Sequence, residues 1–195
     1  MPAAAARPAA PLDELTLRRA QRGDEPAWRA LIERHQAAVH AVIWRLLVGR
    51  RQHRSEDLVQ ETFVRVLRAL PGFDPAGPAR LTTWILTIAT RLALNELRRP
   101  DDAALIDEPA AARDDRADAG AERRRLAAAI HAAVAALPDN QRAVFILREY
   151  HDLDYGEIAA ALDIDLGTVK SRLARARGAL RTQLEAALPE LKERT

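Results

Sequence analysis

The chain has 195 residues, of which 48% are hydrophobic and 30% are charged, and its formal net charge is +2. This composition is typical of a globular protein with one large domain or two small ones. The absence of cysteine excludes a disulfide framework and a thiolate metal site. No apolar run approaches the ~18 residues of a membrane-spanning helix, so we expect a cytoplasmic protein without membrane insertion.

The first half of the chain predicts a helical bundle over residues 13–100. Residues 1–12 are rich in Ala and Pro and are expected to be a disordered lead-in. Gly23 is expected to end a short first helix, and an apolar stripe of period 3.6 predicts a core-facing second helix up to about Val48. Ser55 is expected to cap a third helix, with acidic residues in its first turn.

A loop rich in Pro and Gly separates the third helix from a fourth, which is predicted from about Leu81 to Arg99, before Pro100. One side of this fourth helix is apolar. The opposite side carries polar and basic residues at spacings of three and four, and is therefore able to meet a phosphate backbone. These residues are Thr83, Thr87, Arg91, Asn95 and Arg98.

Residues 101–121 are predicted to be a flexible acidic linker, because they are rich in Ala and Asp and have no sustained periodicity. Eight acidic and two basic residues lie between Asp101 and Glu122. The remainder of the chain therefore carries a net charge of about +8.

Residues 122–188 predict a second helical bundle that ends in a helix-turn-helix, followed by a tail at 189–195. Asp154 and Glu157 have the spacing of a capping box, and Asp165 is expected to cap the last helix. No strand pattern occurs in the sequence. The predicted fold is therefore all-α, with two small helical bundles joined by the flexible acidic linker.

The last helix has one apolar side and one basic side. Five bases lie between Leu166 and Gln183, a stretch without acidic residues: Lys170, Arg172, Arg175, Arg177 and Arg181. A solvated surface is the alternative interpretation, but such faces usually mix charge signs, and this one offers no carboxylate partner. Thr168, Lys170, Ser171 and Arg172 lie in the first turns, where a recognition helix approaches base edges. We therefore predict DNA binding here.

Two stretches together resemble the extracytoplasmic function (ECF) group of sigma factors in the sigma-70 family. The first resembles region 2, with DLVQETFV from Asp57, LTTWILTIA from Leu81 and NELRR from Asn95. The second resembles region 4, with Leu137-Pro138 ahead of the helix-turn-helix and GTVKSRL from Gly167 within it. The resemblance covers nearly the whole chain, and it implies an alternative sigma factor that binds RNA polymerase core enzyme and directs promoter-specific initiation.

The resemblance also implies roles for individual residues. Docking on the clamp helices of the largest polymerase subunit is implied for Asp57, Gln60 and Glu61, although acids in a first turn also suit the helix dipole alone. Recognition of the −10 element is implied for Arg80, Thr82, Thr83, Arg91, Asn95 and Arg98. Recognition of the −35 element is implied for Thr168, Lys170, Ser171, Arg172, Arg175 and Arg177. Further implied partners are the polymerase flap, promoter DNA and an anti-sigma factor.

A stand-alone helix-turn-helix activator is the alternative function, which the region 2-like bundle disfavours. An enzyme is not expected, because the five histidines show no metal-ligand spacing and no phosphate-binding or nucleophile motif occurs. No cofactor or metal is expected. The free protein is expected to be a monomer whose loosely tethered bundles bind DNA weakly.

Overall fold

The computed structural model describes residues 12–100 and 119–188. Most of the predicted lead-in and linker, and the whole of the predicted tail, lie outside the described residues. The described residues contain helices and no strand, which confirms the all-α prediction. The helices are α1 Glu14–Gln21, α2 Glu25–Leu46, α3 Ser55–Ala69, α4 Leu81–Arg98, α5 Ala119–Ala135, α6 Asp139–Glu149, α7 Tyr155–Leu162 and α8 Leu166–Ala187.

Helices α1–α4 form the N-terminal bundle, and aspartates set where its first two helices begin. Asp13 and Asp24 each accept a hydrogen bond from a main-chain N–H three residues later, at 2.8 and 2.9 Å. Gly23 takes the left-handed conformation between these helices, with φ 85°. The apolar stripe of α2 lies in the bundle interior, where Leu31, Val39 and Ile43 are fully buried.

The start of α3 differs from the prediction. The helix begins at Ser55, but Ser55 is its first residue rather than its N-cap, and the N-cap position belongs to Arg54. A short 3-10 helix, Gln52–Arg54, runs directly into α3, so the Ser55 hydroxyl donates backward to the carbonyl oxygen of Gln52 instead of accepting from the next turn. The prediction of a Ser55 cap was therefore wrong.

Helices α5–α8 form the C-terminal bundle, and its helix-turn-helix is built as the sequence predicts. Asp154 Oδ1 accepts from the main-chain N–H of Glu157, and Glu157 Oε2 accepts from that of Asp154, at 2.8 and 2.9 Å. This reciprocal pair is the predicted capping box. The turn after α7 passes through Asp163 in the left-handed conformation, with φ 54°, and Asp165 then caps α8.

The two bundles pack against each other, which the sequence did not predict. Helix α4 lies on α7 and α2 lies on α6, and one continuous apolar core contains residues from all four helices. A smaller apolar cluster joins α5 to α8. The described residues therefore form one packed body.

Buried Arg142 of α6 joins the ends of helices from both bundles. Its side chain is only 3% exposed. Its guanidinium donates at 2.7 Å to the carbonyl oxygen of Leu46, where α2 ends, and at 2.7 and 2.9 Å to those of Ala135 and Leu137, where α5 ends. These carbonyl groups lack helical partners, so one arginine satisfies the ends of two helices.

Candidate nucleic-acid interface

The recognition helix α8 is anchored on its apolar side and presents a basic side to solvent. Val169, Leu173 and Ala176 are buried against the rest of the C-terminal bundle. Lys170, Ser171 and Arg175 are exposed, whereas Thr168 and Arg172 are half-buried at one edge. The packing of α8 thus leaves its first turns accessible, as docking in a major groove requires.

Thr168 is engaged by the cap of α8. Its main-chain N–H donates to Asp165 Oδ1 at 2.7 Å and its hydroxyl donates to Oδ2 at 2.6 Å. The hydrogen bond from the Thr168 side chain is the main reason that the pKa of Asp165 lies below its ordinary value. Ser171 in turn donates to the Thr168 carbonyl oxygen at 3.1 Å. Thr168 therefore orients the first turn of the helix.

Among the predicted −35 residues, Arg177 forms an ion pair within the protein. Its guanidinium lies 2.6 Å from Glu149 Oε1, at the end of α6. This hydrogen bond raises the pKa of Arg177 above its ordinary value. The charge of Arg177 is thus partly neutralised on the side of α8 that faces α6.

The six predicted −10 residues fall into three groups along α4. Arg80 and Thr82 are exposed at its N-terminal end. Asn95 and Arg98 are exposed near its C-terminal end, where Arg98 donates to Asn95 Oδ1 at 3.3 Å. Thr83 and Arg91 face the C-terminal bundle.

Helix α7 packs on α4 beside Thr83 and Arg91, where Thr83 is buried and Arg91 stays exposed. The Thr83 hydroxyl donates to Glu157 Oε1 at 2.8 Å, and Thr83 is only 7% exposed. Arg91 donates from Nε to the Ala161 carbonyl oxygen at 2.9 Å and from Nη2 to that of Ala160 at 3.1 Å. Both side chains therefore donate hydrogen bonds to α7.

The three predicted polymerase-binding residues lie together on the exposed side of α3. Asp57, Gln60 and Glu61 are exposed. Leu58 and Phe63 lie on the other side, in the core. Asp57 pairs with Arg54 and Glu61 pairs with Arg65, so neighbouring arginines partly balance both carboxylates.

Sequence reasoning missed two residues that shape these surfaces. Glu96 is 4% exposed and accepts from Arg51 and Arg99 at 3.0 Å each, which fixes the end of α4 beside the start of α3. Only its i, i+3 spacing to Arg99 was readable from the sequence. Val64 is 45% exposed on α3, one turn after Gln60 and Glu61, and it adds an apolar side chain to the predicted polymerase-binding side.

The described residues contain no group of three His, Cys, Asp or Glu side chains placed to hold a metal ion. Within the same ranges, 12–100 and 119–188, no helix is both long and apolar enough to cross a bilayer.

Two sequence families match the chain, one for each bundle. Residues 31–102 match Sigma-70 region 2, and residues 127–180 match Sigma-70, region 4. The RNA polymerase sigma-H factor of Pseudomonas aeruginosa is 32% identical over 190 residues, which cover 91% of this chain and 96% of that protein. The ECF RNA polymerase sigma-E factor of Escherichia coli K12 is 31% identical over 188 residues, which cover 89% and 94%.

Two solved structures share the fold. CnrH, in complex with the cytosolic domain of CnrY, superposes with a TM-score of 0.64 at 24% identity and covers 89% of this chain and 97% of its own. RpoE of Bartonella quintana, in complex with the anti-sigma factor NepR, gives a TM-score of 0.60 at 22% identity and covers 80% and 96%.

Proposed function

Because the chain belongs to the ECF group of the sigma-70 family, we propose that its two bundles divide the recognition of one promoter between them. The protein is an alternative sigma factor, which binds RNA polymerase core enzyme and directs promoter-specific transcription initiation. It acts by binding and carries no catalytic residues of its own. The division of labour and the residues below are our assignment.

The C-terminal bundle anchors the −35 element. The observation that carries this assignment is the exposed basic side of α8, which has no acidic residue between Leu166 and Gln183. Lys170, Ser171 and Arg172 face base edges in the major groove, while Arg175 and Arg177 lie near phosphates and Thr168 orients the first turn.

The N-terminal bundle binds the polymerase and opens the −10 element. Asp57, Gln60 and Glu61 on α3 dock on the clamp helices of the largest subunit, and the C-terminal bundle contacts the flap. Helix α4 and the loop before it hold unstacked bases of the −10 strand. Unstacking a base costs a few kcal/mol, which contacts from polar and basic side chains must offset. The assigned side chains are Arg80, Thr82, Thr83, Arg91, Asn95 and Arg98.

The protein works in the cytoplasm, as a monomer when free, and an anti-sigma factor controls it. The complex of the similar RpoE with the anti-sigma factor NepR supports this kind of partner. Each bundle presents a separate binding surface, and an anti-sigma factor that covers either surface blocks the binding that depends on it.

Run-off transcription tests the function. Purified core enzyme is incubated with genomic fragments, including the region upstream of this gene, with and without the protein. Start sites that appear only with the protein confirm a sigma factor and define its −35 and −10 sequences. Sequence-specific binding without core enzyme, together with no new start site, would favour the stand-alone activator instead.

A further inference from the structure

The end of α1 is hydrogen-bonded to the loop that precedes α4. The function proposed above assigns this loop, residues 73–80, to the −10 strand, and this inference rests on that assignment. The first residue of the loop, Phe73, accepts a hydrogen bond from the side chain of Gln21, the last residue of α1. We propose that Gln21 is a positioning residue for the −10 element, because it fixes where the loop begins and therefore where the loop holds unstacked bases.

The side-chain amide of Gln21 holds both ends of the short turn that follows α3. Its Nε2 donates to the carbonyl oxygen of Leu70 at 3.1 Å and to that of Phe73 at 2.7 Å. The Phe73 main-chain N–H also donates to the Leu70 carbonyl oxygen, at 3.0 Å. An amide nitrogen has two N–H donors, so it matches these two carbonyl acceptors. A side chain without donors cannot hold the turn in this way.

Phe73 is held on its other side by α4. Its ring centroid lies 5.0 Å from that of Trp84, and both rings pack against the apolar core. Gln21 therefore fixes the main chain of Phe73, while Trp84 fixes its ring. Helix α1 is a firm support for Gln21, because its Leu17 and Ala20 are buried. Phe73 is thus the point at which the loop is joined to the bundle.

The part of the loop after Phe73 is a tight turn that is closed by its own hydrogen bonds. Asp74 Oδ1 accepts from the Ala76 N–H at 2.9 Å, and the Asp74 carbonyl oxygen accepts from the Gly77 N–H at 3.1 Å. Asp74, Pro75 and Ala76 are exposed. Because the turn is closed internally, a displacement of the Phe73 main chain moves it as a whole. The exposed residues of the loop therefore take their position from α1.

Replacement of Gln21 by glutamate tests this role, because an ionised glutamate has a similar size but no donor for the two carbonyl oxygens. Gln36→Glu makes the same change of charge at an exposed position of α2 and is the matched control. Holoenzyme with each full-length protein is titrated, by fluorescence anisotropy, with a single strand that carries the mapped −10 sequence and with one whose −10 bases are exchanged. The ratio of the two affinities cancels the effect of charge, which acts on both strands alike. We expect Gln21→Glu to reduce this ratio about 3- to 10-fold and Gln36→Glu to leave it unchanged.

Separate outcomes test the role of Gln21 and the −10 assignment on which it rests. Equal affinity of the wild-type holoenzyme for the two strands removes the −10 assignment and the role of Gln21 with it. A reduced ratio in Arg80→Ala, with no reduction in Gln21→Glu, overturns the role of Gln21 and leaves the −10 assignment intact. A reduced ratio in Gln21→Glu that comes with an equal loss of affinity for core enzyme shows general damage to the bundle and also overturns the role.

Replacement of Gln21 by lysine tests whether the donors themselves matter. The lysine ammonium again donates to carbonyl oxygens, so Gln21→Lys should keep the affinity ratio near that of wild type. A ratio as low as that of Gln21→Glu would contradict the hydrogen-bond argument.

The mobility of the loop tests the same contact without DNA. The chain has no cysteine, so Ala76→Cys, at an exposed position of the loop, accepts a nitroxide spin label specifically. Electron paramagnetic resonance compares the labelled full-length protein with and without Gln21→Glu. Faster motion of the label in the presence of Gln21→Glu supports the proposal, and equal motion in both proteins contradicts it.

Discussion

At the residue scale, two arginine side chains bind main-chain carbonyl groups that lie far away along the chain. Arg142 lies 96 residues from Leu46 along the chain, and Arg91 lies 70 residues from Ala161. A guanidinium has five donors in a fixed fork, so it satisfies several carbonyl groups at once. Burial is the main reason that the pKa of Arg142 lies below its ordinary value. These arginines connect helix ends that no local interaction would join.

Replacing Arg142 tests the importance of this connection. Arg142→Ala leaves buried carbonyl oxygens of α2 and α5 without donors, and we expect the free energy of unfolding to fall by about 3 kcal/mol or more. Urea denaturation followed by circular dichroism measures it. Arg142→Lys should lie between wild type and alanine, because an ammonium lacks the fork. A loss below about 0.5 kcal/mol in Arg142→Ala would contradict the role of this side chain.

The lowered pKa values of His35 and His151 indicate that acid weakens the fold. Burial lowers the pKa of His35 from 6.5 to about 4, and burial with the nearby Arg45 charge lowers that of His151 to about 4. The unfolded chain therefore takes up protons first, so their contribution is complete above pH 6.5 and is lost as the pH falls toward 4. We expect the urea midpoint to drop between about pH 7 and about pH 5. His35→Gln and His151→Gln should each reduce this drop, and an unchanged drop in the double variant would refute the assignment.

The residue-scale features that could be predicted from the sequence are those formed by residues close together in the chain. The capping box of Asp154 and Glu157 and the cap at Asp165 follow from residues three apart, and the structure confirms them. Ser55 was misread because a 3-10 turn precedes α3 and moves the cap position. The partners of Arg91 and Arg142 are main-chain groups of distant helices, so the sequence gives no signal for them.

At the element scale, α8 combines an apolar side, which packs in the core, with a basic side, which we assign to DNA binding. Exposed cations contribute to DNA affinity through counterion release, which makes binding depend on salt. Arg177 differs from Lys170 and Arg175 because Glu149 already holds its charge. The arginines of α8 should therefore contribute unequally.

Substitutions at Glu149 and Arg175 test this inequality. Glu149→Gln removes a negative charge and weakens the hold on Arg177, so we expect tighter duplex binding and a steeper dependence on salt. Arg175→Ala should weaken binding to all sequences alike and reduce the salt slope by about 1, as expected for a phosphate contact. Fluorescence anisotropy over a salt series measures both. Weaker binding by Glu149→Gln would contradict the pairing argument.

Periodicity predicted the helices well and their ends less well. Apolar spacing of three and four predicted α2 and α8 because it reports which side of a helix is buried. Helix α2 ends at Leu46, but Leu47 and Val48 are also buried as the chain turns away. The apolar pattern therefore continued to about Val48, past the last helical residue. Apolar periodicity reports which residues are buried, and here the buried residues extend beyond the end of the helix.

At the scale of the whole molecule, the two bundles share one apolar core. Leu46 and Ile85 of the N-terminal bundle belong to the same cluster as Ile146 and Ile158 of the C-terminal bundle. The sequence shows which sides of these helices are apolar, but not which helix covers which. Each bundle therefore looked independent, and the packing of α7 on α4 had no sequence signal.

The shared core predicts a single cooperative unfolding transition. All three tryptophans, Trp28, Trp44 and Trp84, lie in the N-terminal bundle, so their fluorescence reports mainly on that bundle, although the ring of Trp44 also lies 5.1 Å from that of His131 in α5. Hydrogen exchange of α8 amides reports on the other bundle. Both probes should give the same urea midpoint. Leu46→Ala should shift this midpoint downward for both probes together, because it lowers the free energy of unfolding by about 2–5 kcal/mol. Two separate midpoints, with only the tryptophan transition shifted, would show independent bundles.

Permanganate footprinting tests the central claim most directly, namely that this one chain supplies both recognition surfaces through which core enzyme opens a promoter. Permanganate oxidises unstacked thymines, so it reports opening of the −10 region on a promoter mapped by run-off transcription. We predict reactive thymines when core enzyme and the protein are both present, and none with either one alone. On a duplex promoter, Lys170→Ala should abolish this reactivity. On a promoter whose −10 region is already open, Lys170→Ala should leave the reactivity unchanged. Reactivity that core enzyme produces alone, or none with the two together, would contradict the account.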